Sequence, residues 1–210
     1  MEGGLVIVRE IKRGLMIGRY QPFHWGHLNL AEEILSECEE LVVAIGSPEA
    51  NFSFNDPFTT GERITMVHES LKKRDLRMSD CYVLPVPNSN NNYTWFEGIR
   101  SMIPKVTAVY SGNQFVQLLL PENVKVRSPT FLKNKIFNGT RIRNLIVRNG
   151  NWQDLVPSPV ASFIKEIDGI SRLKKLKRTQ IEQERVLATS GSKKDAYVKM
   201  DGRSNTPMKT

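Results

Sequence analysis

Short apolar runs alternate along the chain with longer segments whose apolar residues recur every three or four positions. Leu15-Met16-Ile17 is a run of buried-strand type. Gly18 then lets the backbone turn, and Pro22 and Phe23 fix that turn. From Trp25 onward, Leu28, Ala31, Ile34, Leu35 and Cys38 share one side of a helix. Leu41–Ile45 is a second buried run, parallel to the first because a helix crosses between them. It ends at Gly46-Ser47, and a long loop from Pro48 to Thr59, rich in Asn, Ser and Phe, leads to a helix through about Arg74. Thr59 or Thr60 suits its N-cap, and Ile64, Val67 and Leu71 form its stripe. Tyr82–Val86 is a third strand, followed by a turn-prone Pro87–Asn92 and a helix from Tyr93 to about Met102. Ala108–Tyr110 is a fourth strand. A helix over Gln114–Leu120 and a short strand at Val124–Val126 follow. Asn138 caps the next helix, whose stripe is Ile142, Leu145 and Ile146. The pattern closes with a helix near Val160–Ile167, Gly169–Leu173, and a charged helix to roughly Leu187.

Strands alternating with helices predict an α/β fold, a Rossmann-like doubly wound parallel sheet. Residues 1–13 read as an arm or extra strand, 14–171 as the main domain and 172–188 as a basic helix. Residues 189–210, polar and aperiodic, read as a disordered tail. The first strand's turn and the fourth strand's end should flank one crevice at the topological switch point.

Composition changes this picture in one place. The chain has 210 residues, 40% apolar and 25% charged, with a net charge of +8. Residues 172–210 hold 11 Lys/Arg against 4 Asp/Glu, whereas residues 1–171 hold 19 against 18. The basic character belongs to the carboxyl end. A nucleic-acid-binding protein working through that tail is one reading, but the body lacks a surface of interleaved basic and aromatic residues. No apolar run approaches the roughly 20 residues of a membrane span. Cys38 and Cys81 read as reduced core residues, which suggests the cytoplasm.

Candidate chemistry gathers at helix starts. His24 and His27 are three apart and share a face, where their N–H groups can meet phosphate oxygens over free backbone amides. Gly26 between them lets a ligand approach the backbone. Zinc is disfavoured, since the only other histidine is His68 and the two cysteines lie in apolar settings. Thr140 and Arg143 also share a face at a helix start, a hydroxyl and a guanidinium suited to a polyphosphate. Arg63 is either a solvated helix residue or a phosphate contact. Trp95 is either a packing residue or a stacking surface for a flat ring. Gly112 permits close approach of an adenine or ribose. No nucleophile is paired with a base and no Walker-type lysine loop occurs, which points to a reaction without a covalent enzyme intermediate.

Gly18-Arg-Tyr-Gln-Pro-Phe-His24-Trp-Gly-His27 resembles the first signature of the H-x-G-H nucleotidyltransferases, in the fuller form of the archaeal-type nicotinamide mononucleotide adenylyltransferases. Gly46-Ser47, Ser53 and Asp56 to Arg63 match a second stretch of that family. Tyr110-Ser111-Gly112-Asn113 matches a third. Asn138-Gly139-Thr140-Arg-Ile-Arg143 is similar to its S-G-T-x-[IV]-R, with Asn138 in place of serine. Pro85-Val86-Pro87-Asn88 stands where the family has P-V-x-D. The likeness covers about residues 14–176. It implies transfer of adenylate from ATP, carrying Mg²⁺, to nicotinamide mononucleotide, with NAD and pyrophosphate as products. Other phosphate acceptors (pantetheine phosphate, FMN or an alcohol phosphate) would keep the same chemistry. The catalytic residues would be Arg19, His24, His27 and Arg143. The nucleotides would be bound by Gly18, Gln21, Gly26, Ser47, Arg63, Asn92, Trp95, Ser111, Gly112, Asn113, Gly139 and Thr140. It also implies a homo-oligomer.

Overall fold

A computed structural model describes residues 11–201 apart from 90, 123 and 131–135, with side chains left aside at 115 and 189–201. Residues 1–10 and 202–210, most of the predicted arm and the end of the predicted tail, lie outside the described residues.

The strands are β1 (Arg13–Gly18), β2 (Glu40–Gly46), β3 (Cys81–Val86), β4 (Ala108–Tyr110) and β5 (Val126–Arg127). They form one parallel sheet in the order β3-β2-β1-β4-β5. The chain winds outward from β1 in both directions, so the crevice beyond the ends of β1 and β4 is the switch point. The helices are α1 (Trp25–Glu37), α2 (Thr60–Lys73), α3 (Trp95–Arg100), α4 (Gln114–Leu118), α5 (Gly139–Val147), α6 (Ser158–Glu166) and α7 (Gly169–Asp201).

Side-chain alternation along the strands divides the core. Met16, Leu41, Val43, Ile45 and Tyr110 pack with α1, α2, α5 and α6. Their neighbours Leu15, Val42, Ala44 and Val109 point the other way, onto Phe96 and Ile99 of α3. Strands covered on both faces explain the unbroken apolar runs in the sequence.

Two predicted caps form. Thr59 Oγ1 accepts from the Glu62 amide and Glu62 Oε2 accepts from the Thr59 amide, a reciprocal capping box. Asn138 Oδ1 accepts from the Arg141 amide at 3.2 Å. Some bounds differ from the sequence reading. The fifth strand is Val126–Arg127 because the Val124 amide is turned onto the Pro121 carbonyl. The last helix does not stop near 188 but continues to Asp201, through a stretch whose Lys, Ala and Met are good helix formers and which holds no proline. No helix among the described residues is long and apolar enough to cross a membrane.

Candidate active site

The turn after β1 is knitted into the loop before α2. Gln21 presents its side-chain amide to the backbone of Phe58, donating to the carbonyl at 2.9 Å and accepting from the amide at 3.0 Å. Gln21 is buried, and these two bonds tie the turn to that loop. The turn delivers His24 to the N-cap of α1. The rings of His24 and His27 stack with centroids 3.5 Å apart and planes 13° apart. His27 Nδ1 accepts from the His24 amide at 3.3 Å, which leaves the ring proton on Nε2.

Burial lowers the pKa of His24 to about 4, and burial with the neighbouring ring lowers that of His27 well below the usual value. Both are therefore neutral donors at pH 7, not cations. His24 Nδ1 is buried and has no hydrogen-bond partner among the described residues.

A cleft of about 440 Å³ opens over these rings at the switch point. His24, Gly26 and His27 line one side, Ser111, Gly112 and Asn113 another, and Asn138 and Gly139 close it from α5. Sequence reasoning assigned all of these to the site except Asn138, which it took as a cap only. It missed the apolar lining, including Ile17, Leu30, Pro129 and Phe137, because apolar residues in a cleft carry the same sequence signal as core. Both glycines have a steric reason. A Cβ at Gly26 would meet Phe137 Cβ at 3.1 Å, and one at Gly139 would meet the Gln21 carbonyl oxygen at 2.9 Å.

Arg143 stands behind the cleft wall rather than in it. It donates from Nη1 to the Gln21 carbonyl at 2.7 Å and from Nη2 to Thr140 Oγ1 at 3.1 Å. Its Nε is buried without a partner among the described residues. Burial, with Arg19 nearby, lowers its pKa to about 10, so it stays charged. Arg19 is half exposed and pairs with Asp56 at 3.0 Å, a partner 37 positions away that sequence reasoning did not single out.

The remaining predicted residues lie apart from the cleft lining. Arg63 is fully buried, with its donors turned onto the chain. It donates to the carbonyls of Arg19, Gly46 and Ser47 at 3.0, 2.8 and 2.9 Å and to Thr60 Oγ1 at 2.9 Å, clamping the ends of β1 and β2 together. Gly18 sits at the end of β1 under Tyr20, whose ring a Cβ would meet at 3.0 Å. Ser47 has φ of 51° and accepts from Asn88 Nδ2 at 2.8 Å. Asn88, where the family has a carboxylate, also donates to Glu49. Trp95 is half-buried against the α3 side of the sheet, so part of it packs as core, and Asn92 is exposed.

The sheet order, the paired helix openings and the donors around one cleft are those expected of a nucleotidyltransferase. The chain belongs to the cytidylyltransferase-like family, whose model matches residues 15–193. Within it, the chain is similar to proteins named nicotinamide-nucleotide adenylyltransferase. That of Pyrobaculum arsenaticum is 40% identical over 164 residues, 77% of this chain and 92% of the relative. That of Methanothrix thermoacetophila is 37% identical over 169 residues, 80% and 98% of the two chains. Among solved structures, a bifunctional NMN adenylyltransferase/ADP ribose pyrophosphatase from Francisella tularensis, complexed with AMP and manganese, has the same fold. It aligns with a TM-score of 0.69 at 20% identity, over 86% of this chain and 56% of that one.

Proposed function

We propose that this chain transfers the adenylyl group of ATP to nicotinamide mononucleotide, forming NAD and pyrophosphate. The observation that carries the reading is the single cleft lined by His24 and His27 from one helix opening and by Asn138 and Gly139 from another. The relatives' names supply the acceptor.

The step is an in-line displacement. A 5′-phosphate oxygen of the mononucleotide bonds to the α-phosphorus of ATP, and the bond from that phosphorus to the bridging oxygen breaks. The electron pair leaves with pyrophosphate. The attacking oxygen is already anionic, so no general base is needed. The protein's task is to hold two anions in line and offset their charge. His27 Nε2–H and His24 would donate to α- and β-phosphate oxygens. The free amides of the first turn of α5, Thr140 and the positive field of Arg143 would favour the departing pyrophosphate. Arg19 would receive the second phosphate on leaving Asp56. Asn113, Ser111 and Gly112 would meet the adenosine, and the exposed part of Trp95 the nicotinamide ring.

The cleft's donors are imidazole, hydroxyl and amide, with no carboxylate in its described lining. No trio of His, Cys, Asp or Glu able to hold a metal occurs among the described residues. Mg²⁺ would instead arrive on the ATP phosphates, where it would supply charge neutralisation for the leaving group.

A coupled pyrophosphate-release assay across phosphate acceptors tests the reading. Turnover is expected with nicotinamide mononucleotide, and its absence with that acceptor would remove the proposal.

A further inference from the structure

The segment joining β2 to α2 engages four cations within five residues. Asp56 pairs with Arg19 at 3.0 Å. The Arg143 Cζ lies 5.7 Å from the centroid of the Phe54 ring, and Lys177 Nζ lies 4.6 Å from the same centroid. Arg172 Cζ lies 5.0 Å from the Phe52 ring. Arg172 also donates to the Pro57 carbonyl and, at 2.7 Å, to Glu62, the carboxylate that caps α2. Two of the four cations come from α7 and two from the neighbourhood of the cleft.

Phe54 is the shared element. It is 6% exposed, so its ring meets these cations largely out of water, where the attraction between a cation and the negative face of an aromatic ring is strongest. Arg143 needs that support. It is 3% exposed, and among the described residues its side chain has two hydrogen-bond partners and none at Nε. An aliphatic side chain would fill the volume of Phe54 but offer the guanidinium no negative face.

We propose that Phe54 is a positioning residue: its ring, engaged by Lys177 of α7, holds the Arg143 guanidinium in register with the phosphate chain in the cleft. The proposal makes the last helix part of the site's support, and it rests on the reading of Arg143 as a charge whose field reaches the phosphates.

The test uses the full chain with Phe54→Leu, Phe54→Tyr, Lys177→Met and Lys177→Arg. Inorganic pyrophosphate affinity is read by calorimetry, kcat and KM by steady-state assay, and folding by Tm. Phe54→Leu should weaken pyrophosphate binding and lower kcat by about tenfold each, with the KM for nicotinamide mononucleotide within about twofold. Phe54→Tyr, which keeps the ring face, should restore both. Lys177→Met should show a smaller loss in the same direction, and Lys177→Arg should restore it. Unchanged pyrophosphate affinity in Phe54→Leu overturns the proposal. So does a loss that Phe54→Tyr leaves unrepaired while its Tm stays at the parent value. If the Phe54 variants do not fold, the Lys177 pair decides, and Lys177→Met with parental pyrophosphate affinity overturns it. Pyrophosphate binding is read without turnover, so failure to make NAD would remove the assigned reaction without deciding the role of Phe54.

Discussion

The openings of α2 and α5 place nearly the same residues in the same pattern. Each first turn is capped, by Thr59 in one and Asn138 in the other, and each sets a threonine three residues before an arginine. In both, the arginine Nη2 donates to that threonine, Arg63 to Thr60 at 2.9 Å and Arg143 to Thr140 at 3.1 Å. What differs is the remainder of each guanidinium. Arg63 meets the carbonyls of Arg19, Gly46, Ser47 and, through Nε, Thr59. Arg143 meets one further carbonyl, that of Gln21, and its Nε has no partner among the described residues. A buried arginine whose donors are all matched is a brace. One left short keeps its charge available to an arriving anion, since burial without matched acceptors is costly.

The largest effect expected from this contrast is on stability. Arg63→Ala would strand several buried carbonyls, each costing about 1–3 kcal/mol. Urea unfolding should therefore show a loss on the order of 3–5 kcal/mol, and a variant as stable as the parent would break the comparison.

A second effect separates these permanent cations from the histidines. The folded pKa of His24 is about 4, below the usual 6.5 of an unfolded chain. Between those values the unfolded state binds more protons than the folded state. Stability from this group is full above about pH 6.5 and is lost as pH falls towards about 4, by on the order of 3 kcal/mol. His27 adds in the same direction. A Tm that stays flat across that window would contradict buried, neutral imidazoles.

Catalytic variants sharpen the contrast further. His27→Ala should lower kcat by about 100-fold, the scale of a lost transition-state donor, with an intact circular dichroism spectrum. Retained turnover would reject its role. Arg143→Ala should weaken ATP binding by about tenfold while costing less stability than Arg63→Ala. An unchanged ATP titration would place the phosphates elsewhere.

Most of the fold was legible because its signals are local. A strand run, a turn glycine, a helical stripe and a capping residue all lie within a few positions of each other. Thr59 and Asn138 cap where their spacing predicts, and the cleft brings together the motif residues around positions 24, 111 and 139. The surroundings of Arg63 were not legible, for the opposite reason. Its motif was visible, but its acceptors lie 16, 17 and 44 positions away, and only the folded sheet shows that they surround it. The Arg19–Asp56 pair and the cations on Phe54 were hidden in the same way. Gln21 sits inside the recognised signature, yet it serves the backbone of Phe58, because a motif marks a constrained position without saying whether ligand or chain imposes the constraint.

The stacked imidazoles carry a consequence for ordinary salt. A recess that presents uncharged donors at fixed angles sorts its guests by geometry more than by valence. Chloride, spherical and indifferent to direction, gains little from such a cradle. Above mildly acidic pH, the rings themselves would give it no net charge to screen. Competition from physiological electrolytes should accordingly be weak at this end of the recess, leaving it open to the tetrahedral groups whose oxygens match the donors.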